Sequence, residues 1–213
     1  DKEHTEKGRI RITGADGTLL YEGNLEKIRG RGNSTWSLEK KPFEIKLSEK
    51  ADLFGMGEAK TWILLANGFD ETGIRSSIGL WLADEAGLAF TPRQEPVDLY
   101  CNGEYQGSYL LCEKVQAREN RVEIGNGYLI ERELKERWEV AVYTEGKAGF
   151  ATGRGEYYLI DFPEDPTPEQ VEEIRSLVEK AEDAVFAADG IHPETGRRWD
   201  EYLDRDSFVR KYL

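Results

Sequence analysis

Apolar and polar positions alternate with period two through most of the first half of the chain. "GRIRITGADGTLLYEG" reads as a hairpin turning at Asp16-Gly17. In "PFEIKL", Phe43, Ile45 and Leu47 share one face, and Glu44 and Lys46 share the other. A buried strand is expected from Thr61 to Ala66. "PVDLYC" and "EYQGSYLLCE" flank Asn102-Gly103, a dipeptide suited to a two-residue hairpin turn. Further strands are expected in "NGYLIERE" and "YYLIDF".

The period lengthens to helical spacing in two places. Ile74, Ile78, Trp81 and Leu82 form an apolar stripe, with Asp70 or Thr72 as its cap and Gly87 as its stop. "DPTPEQVEEIRSLVEKAEDAVFAA" is the clearest helix. Thr167 caps it, Pro168 fits its first position, and Gln170 completes a capping box. Val171, Ile174, Val178 and Val185 mark its apolar face. A short helix in "DRDSFVRKYL" is expected to be capped by its first residues. Residues 134–156 mix charge and glycine and give no clear element. The reading is an α+β fold. Residues 1–133 form a mostly antiparallel sheet with the 72–86 helix packed on one face. Residues 134–213 begin a second region of strand and helices.

Composition narrows the function classes. The chain has 213 residues and a formal net charge of -13. That charge opposes non-specific nucleic-acid binding and docking on anionic membranes. No apolar run approaches the roughly 20 residues of a membrane-spanning helix. The sequence starts at Asp1 without a signal peptide, as expected of a processed form or an excised piece. Turning at Asn102-Gly103, the hairpin sets Cys112 opposite roughly Gln94, about 20 Å from Cys101 at ~3.3 Å per residue. No disulfide is expected within it, and both cysteines read as buried free thiols. Two histidines and two distant cysteines do not make a zinc site, and His4 and His192 are expected in solvent. Walker A, G-x-G-x-x-G and nucleophile-elbow patterns are absent.

Against this acidic background, "KIRGRGNSTWSLEKKPFEIKL" gathers positive charge and glycine. Glycines let backbone N–H groups approach an anion closely. Arg29 and Arg31, two apart in an extended segment, share a side, and guanidinium matches phosphate in a bidentate fork. Ser34 and Thr35 offer hydroxyls, and Trp36 offers a stacking face. The competing reading is a surface turn whose arginines pair with local carboxylates. The order of elements favours the first. A glycine-rich loop, a strand with an outward lysine, a helix, a hairpin and a strand ending at Glu113 follow the plan of a protein-kinase small lobe.

The motifs "RGRGNSTW", "KKPFEIKL", "LFGM", "KTWILLAN", "LYCNGEYQGSYLLCEKV" and "NGYLIERE", with Asp70 and Arg75 between them, together resemble the CotH kinase family of bacterial spore-coat and secreted proteins. The resemblance runs over about residues 5–213. It implies an atypical protein-kinase-like fold that binds ATP with magnesium and phosphorylates protein serines. It also implies a nucleotide-facing loop of Arg29, Arg31, Asn33, Ser34 and Trp36. Lys41 or Lys46 would hold phosphate, and Arg75 would sit at a helix start. Glu113 would open a hinge-like segment, and Glu131 or Glu133 would lie at a cleft edge. Where the family has Arg-Asn, this chain has Arg75-Ser76. The family's catalytic aspartate and its metal-binding "WDFD"-like stretch have no counterpart here, so the chain is expected to be a front portion, inactive by itself. The implied localisation is a spore coat or an exported location. Two other classes stand beside the kinase. One is a non-catalytic coat or cell-surface assembly module. The other is a carbohydrate-binding domain using Trp36, Trp62, Trp81, Trp138 and Trp199.

Overall fold

The computed structural model describes residues 2–211. It is an α+β structure that divides into two compact units, residues 2–115 with 119–121, and residues 116–118 with 122–211.

The first unit is an antiparallel sheet of six strands. In chain order they are β1 (Thr5–Thr13), β2 (Leu19–Gly30), β3 (Phe43–Asp52), β4 (Glu58–Leu65), β5 (Gln94–Cys101) and β6 (Glu104–Glu113). Their order across the sheet is β1-β2-β3-β4-β6-β5. Both expected hairpins form. Gly17 turns the first at φ 84°, and Asn102 and Gly103 turn the second at φ 52° and 87°, the left-handed pair that a tight hairpin needs. The second hairpin sets Gln94 directly opposite Cys112. Both cysteines are free, Cys112 buried and Cys101 half-buried.

The pleat sorts this sheet into two faces. Ile45, Trp62 and Glu113 are direct cross-strand partners on one of them. That face carries the main core, in which Leu25, Ile45, Leu47, Trp62, Leu64 and Leu111 are buried. Trp62 is fully covered, as its place on an apolar strand face requires. The opposite face carries a smaller apolar cluster of Ile63, Leu110 and Cys112 and the charged residues of the next subsection.

Helix α1 (Arg75–Glu85) follows β4. Its attachments to the sheet are polar. Gln94 accepts from the Ser77 hydroxyl at 3.1 Å and donates to the Ser77 carbonyl at 3.1 Å, and the Ser76 hydroxyl donates to Asn67. The stripe of Ile74, Ile78, Trp81 and Leu82, read as apolar and core-facing, is exposed, with Trp81 58% accessible. Periodicity finds the face of a helix but not what that face meets.

The second unit holds a three-stranded sheet of β7 (Leu129–Glu133), β8 (Gly149–Ala151) and β9 (Tyr157–Phe162), in the order β7-β9-β8. The "YLIERE" strand therefore belongs to this sheet, paired with β9, rather than to the first. Helix α2 (Lys135–Tyr143) fills part of the segment that gave no pattern, burying only Trp138 and Ala141. Helix α3 (Pro168–Phe186) begins at the expected capping box of Thr167 and Gln170 and buries Ile174 against Phe150 and Ile160. Asp204 caps α4 (Arg205–Arg210) by accepting from the backbone N–H groups of Asp206 and Ser207. His4 is exposed as expected, but His192 is buried at 4% accessibility. Its Nδ1 accepts from the Glu194 and Thr195 backbone N–H groups, and its ring packs against Tyr202, so the loop after α3 folds around the imidazole.

Candidate functional site

The site is built on one row of residues that crosses the first sheet. Arg29 on β2 lies opposite Glu44 on β3. Glu44 lies opposite Ile63 on β4, Ile63 opposite Cys112 on β6, and Cys112 opposite Gln94 on β5. Direct cross-strand partners share a face, so these five side chains form a track. It is charged at the β2 end, apolar in the middle, and tied to α1 through Gln94 at the far end.

Glu44 is the centre of the charged end, with its side chain 6% exposed. One of its oxygens accepts from Arg29 Nε at 3.0 Å and lies 3.4 Å from Lys27 Nζ. The other accepts from Lys114 Nζ at 2.8 Å. Burial by itself would raise this carboxyl. The hydrogen bonds and charges of Arg29 and Lys114 outweigh burial and hold it down at about 2. The three cations are each about one-third exposed, so their heads reach solvent.

Arg31 joins this group from the loop after β2, where its backbone N–H donates to the Pro42 carbonyl at 3.1 Å. Burial lowers the pKa of its guanidinium, and the nearby Glu44 charge opposes that effect. Among the described residues the Arg31 side chain makes no hydrogen bond and no ion pair. Its neighbour Cys112 is buried, which pushes the thiol up to about 12. The thiol there is a neutral, apolar surface rather than a nucleophile.

The loop is shaped by close packing. Trp36 lies in a short 3-10 turn, Ser34–Ser37, and covers Gly30, where an added Cβ would fall 2.3 Å from its ring. Lys41 donates to the Trp36 carbonyl at 2.7 Å, and its ammonium sits 5.2 Å from the Trp36 ring centroid. Lys41 thus clasps the loop. Asn33 and Ser34 are exposed at its tip.

The other residues singled out from the sequence fall elsewhere. Lys46 shares the face of Glu44 but pairs with Glu26 at 2.7 Å. Arg75 is 76% exposed and lies 3.5 Å from Asp70, which also accepts from the Arg75 backbone N–H at 2.7 Å, although the residue at the cap position of α1 is Ile74, not Asp70 or Thr72. Glu113 turns to the core face, where its carboxylate pairs with Arg93 at 2.9 Å and Arg121 at 2.7 Å. Its side chain therefore does not line the track. Glu131 and Glu133 belong to β7 of the second unit, where Glu133 pairs with Arg137 at 3.1 Å. Glu44, Lys27 and Lys114 were not among the residues picked out as a site. The alternation placed Glu44 away from the core, but Lys114 is 70 residues distant, and only strand order brings it there.

Beside the far end of the track lies a cavity of about 740 Å³. Leu38, Asn67, Asp70, Ser77, Pro96 and Leu110 contribute to its wall. The chain matches the CotH kinase protein family over residues 28–213, from the end of β2 onward. It belongs to the CotH kinase family. No curated protein matches it. The match begins one residue before Arg29, so the arginine loop, the Glu44 strand and the β5–β6 hairpin all lie inside the family region.

Phosphate fits the charged end of the track. Guanidinium and ammonium groups from β2, from the loop after it and from just past β6 converge there, and among the described residues the Arg31 side chain has no partner. Magnesium has no comparable set of donors. Among the described residues no group of three or more His, Cys, Asp or Glu side chains is placed to hold a metal ion. No step through a metal is assigned to these residues. No helix among them is long and apolar enough to cross a membrane.

Proposed function

We propose that this CotH-family chain forms the nucleotide-binding part of a protein serine kinase, with the triphosphate lying over Arg31, Arg29 and Lys114. The observation that carries this reading is the half-buried Arg31 guanidinium, which has no partner among the described residues. A surface turn would satisfy its arginines with local carboxylates, which an acidic protein supplies freely. Here three cations gather on Glu44, Arg29 reaching Glu3 as well, and among the described residues a fourth, Arg31, has no carboxylate within ion-pair distance.

Phosphoryl transfer needs charge stabilisation and an oriented hydroxyl in addition to phosphate binding. The binding role belongs to the track. Transfer belongs to a protein that also supplies the family's aspartates, and its acceptor would be a spore-coat or surface protein. The exposed stripe of Ile74, Ile78, Trp81 and Leu82 favours a second reading, in which the chain is an assembly module using protein contacts alone.

Titration calorimetry with ATP and with inorganic tripolyphosphate separates the two. The kinase reading expects both to bind, and Arg31→Ala to weaken both. A protein that takes up neither leaves the assembly reading. In a radiolabelled-phosphate assay the 213-residue chain is expected to leave a serine-rich acceptor unlabelled. Labelling would place the transferring carboxylates within this sequence.

A further inference from the structure

A carboxylate in the middle of an anion site repels the ligand that the site is meant to take, yet Glu44 sits there and is charged at neutral pH. We propose that Glu44 is the positioning residue of this site, fixing Lys27, Arg29 and Lys114 in a preset cradle for a polyphosphate. This rests on the phosphate-binding reading above and names the group that makes the cradle work.

The geometry separates this role from plain charge neutralisation. One cation would be enough to neutralise a buried carboxylate, whereas Glu44 gathers three, at 2.8, 3.0 and 3.4 Å. They come from two separate segments, Lys27 and Arg29 on β2 and Lys114 just past β6, on either side of β3 and β4 in the sheet. Without the carboxylate these like charges repel, and long side chains move apart into solvent. With it, Lys114 gives one of its three donors to Glu44 and keeps the other two for a ligand, while Lys27 is held at 3.4 Å by charge with its donors left for one. Lysine and arginine carry the most rotamer entropy, so holding them before the ligand arrives lowers the ordering cost of binding. Arg31 completes the arrangement as the cation that Glu44 does not hold.

The test is the affinity of the folded protein for inorganic tripolyphosphate in wild type, Glu44→Asp and Glu44→Gln. Circular dichroism and thermal melting confirm the fold of each. Preorganisation predicts that Glu44→Gln weakens binding about tenfold even though it removes a negative charge. Glu44→Asp keeps the charge but withdraws it by one methylene, and a loss of about threefold is expected. A residue serving the fold alone would shift Tm and leave the affinity unchanged. Glu44→Gln binding as tightly as wild type, or more tightly, overturns the inference. Should Glu44→Gln fail to fold, an unchanged affinity in folded Glu44→Asp does the same. Wild type that binds neither tripolyphosphate nor ATP overturns the phosphate reading itself, and this inference with it.

Discussion

Arg121 and Glu113 form an ion pair of 2.7 Å with each side chain only 1% exposed, and the guanidinium lies 4.7 Å from the ring centroid of Trp62. The pair is sealed under the core face of the first sheet. Arg121 Nη1 also donates to the Met56 carbonyl at 3.1 Å, so the pair ties the loop after β3 to the end of β6.

Removing Glu113 leaves a buried guanidinium without its anion. Breaking one side of a buried pair costs about 3–5 kcal/mol, and Glu113→Ala is expected to fall in that range. Arg121→Ala should cost less, because Arg93 still holds the Glu113 carboxylate at 2.9 Å. Urea unfolding of both variants checks the order. Equal losses would mean that Arg93 does not compensate.

Acid should loosen the first unit through Glu44. Its folded pKa, about 2, lies below the ordinary value of 4.5. The stability it contributes is complete above the unfolded value and is lost as pH falls from about 4.5 through 2. A shift of this size corresponds to about 1–3 kcal/mol, the lower figure allowing for solvent screening. Urea unfolding between pH 6 and 2 should show a shallower acid slope in Glu44→Gln than in wild type. Parallel slopes would mean that Glu44 is equally acidic in the unfolded chain.

Three cations singled out from the sequence differ in how free they are. Among the described residues the Arg31 side chain has no hydrogen-bond or ion-pair partner, whereas Lys46 is held by Glu26 and Arg75 by Asp70. Arg31→Ala is expected to weaken ATP binding about tenfold, the worth of one charge-assisted contact, with Tm unchanged. Lys46→Ala and Arg75→Ala should each change it less than about threefold. Calorimetry on the three variants decides, and a larger loss for Lys46 or Arg75 would move the phosphates along the sheet.

Gly30 sits beneath Trp36, and an added Cβ would also come within 2.9 Å of the Lys2 backbone. Gly30→Ala is expected to displace the Trp36 ring and the loop behind it. A shift in tryptophan fluorescence together with weaker ATP binding would show both movements. Unaltered fluorescence would mean that the loop absorbs the methyl group elsewhere.

In the second unit, Thr167→Ala removes the α3 cap, in which the Thr167 hydroxyl accepts from the Gln170 N–H at 3.3 Å. The expected loss is about 1 kcal/mol, read from the thermal midpoint, with Thr167→Ser restoring most of it.

What the sequence by itself determined is local. Gly17 in the first hairpin and Asn102-Gly103 in the second turn because their backbones accept left-handed conformations, and the second turn fixed Gln94 opposite Cys112 by counting residues along two strands. Thr167, Pro168 and Gln170 start α3 because a helix leaves its first N–H groups unpaired. The alternation in β3 set Glu44 and Lys46 away from Ile45. What lies across from a face was decided only by the tertiary structure. Glu44 meets Arg29 from 15 residues away and Lys114 from 70. That meeting depends on β4 and β6 being neighbours with β5 outside them, and no turn sets that order. The same limit explains Glu113, whose side chain faces the core beside Trp62, and His192, buried in a loop that folds around it. It also explains Trp81, which lies on an apolar stripe that this unit leaves uncovered. Periodicity is a property of one segment, whereas burial and ion pairing belong to two, and the second segment is chosen by packing the whole sheet.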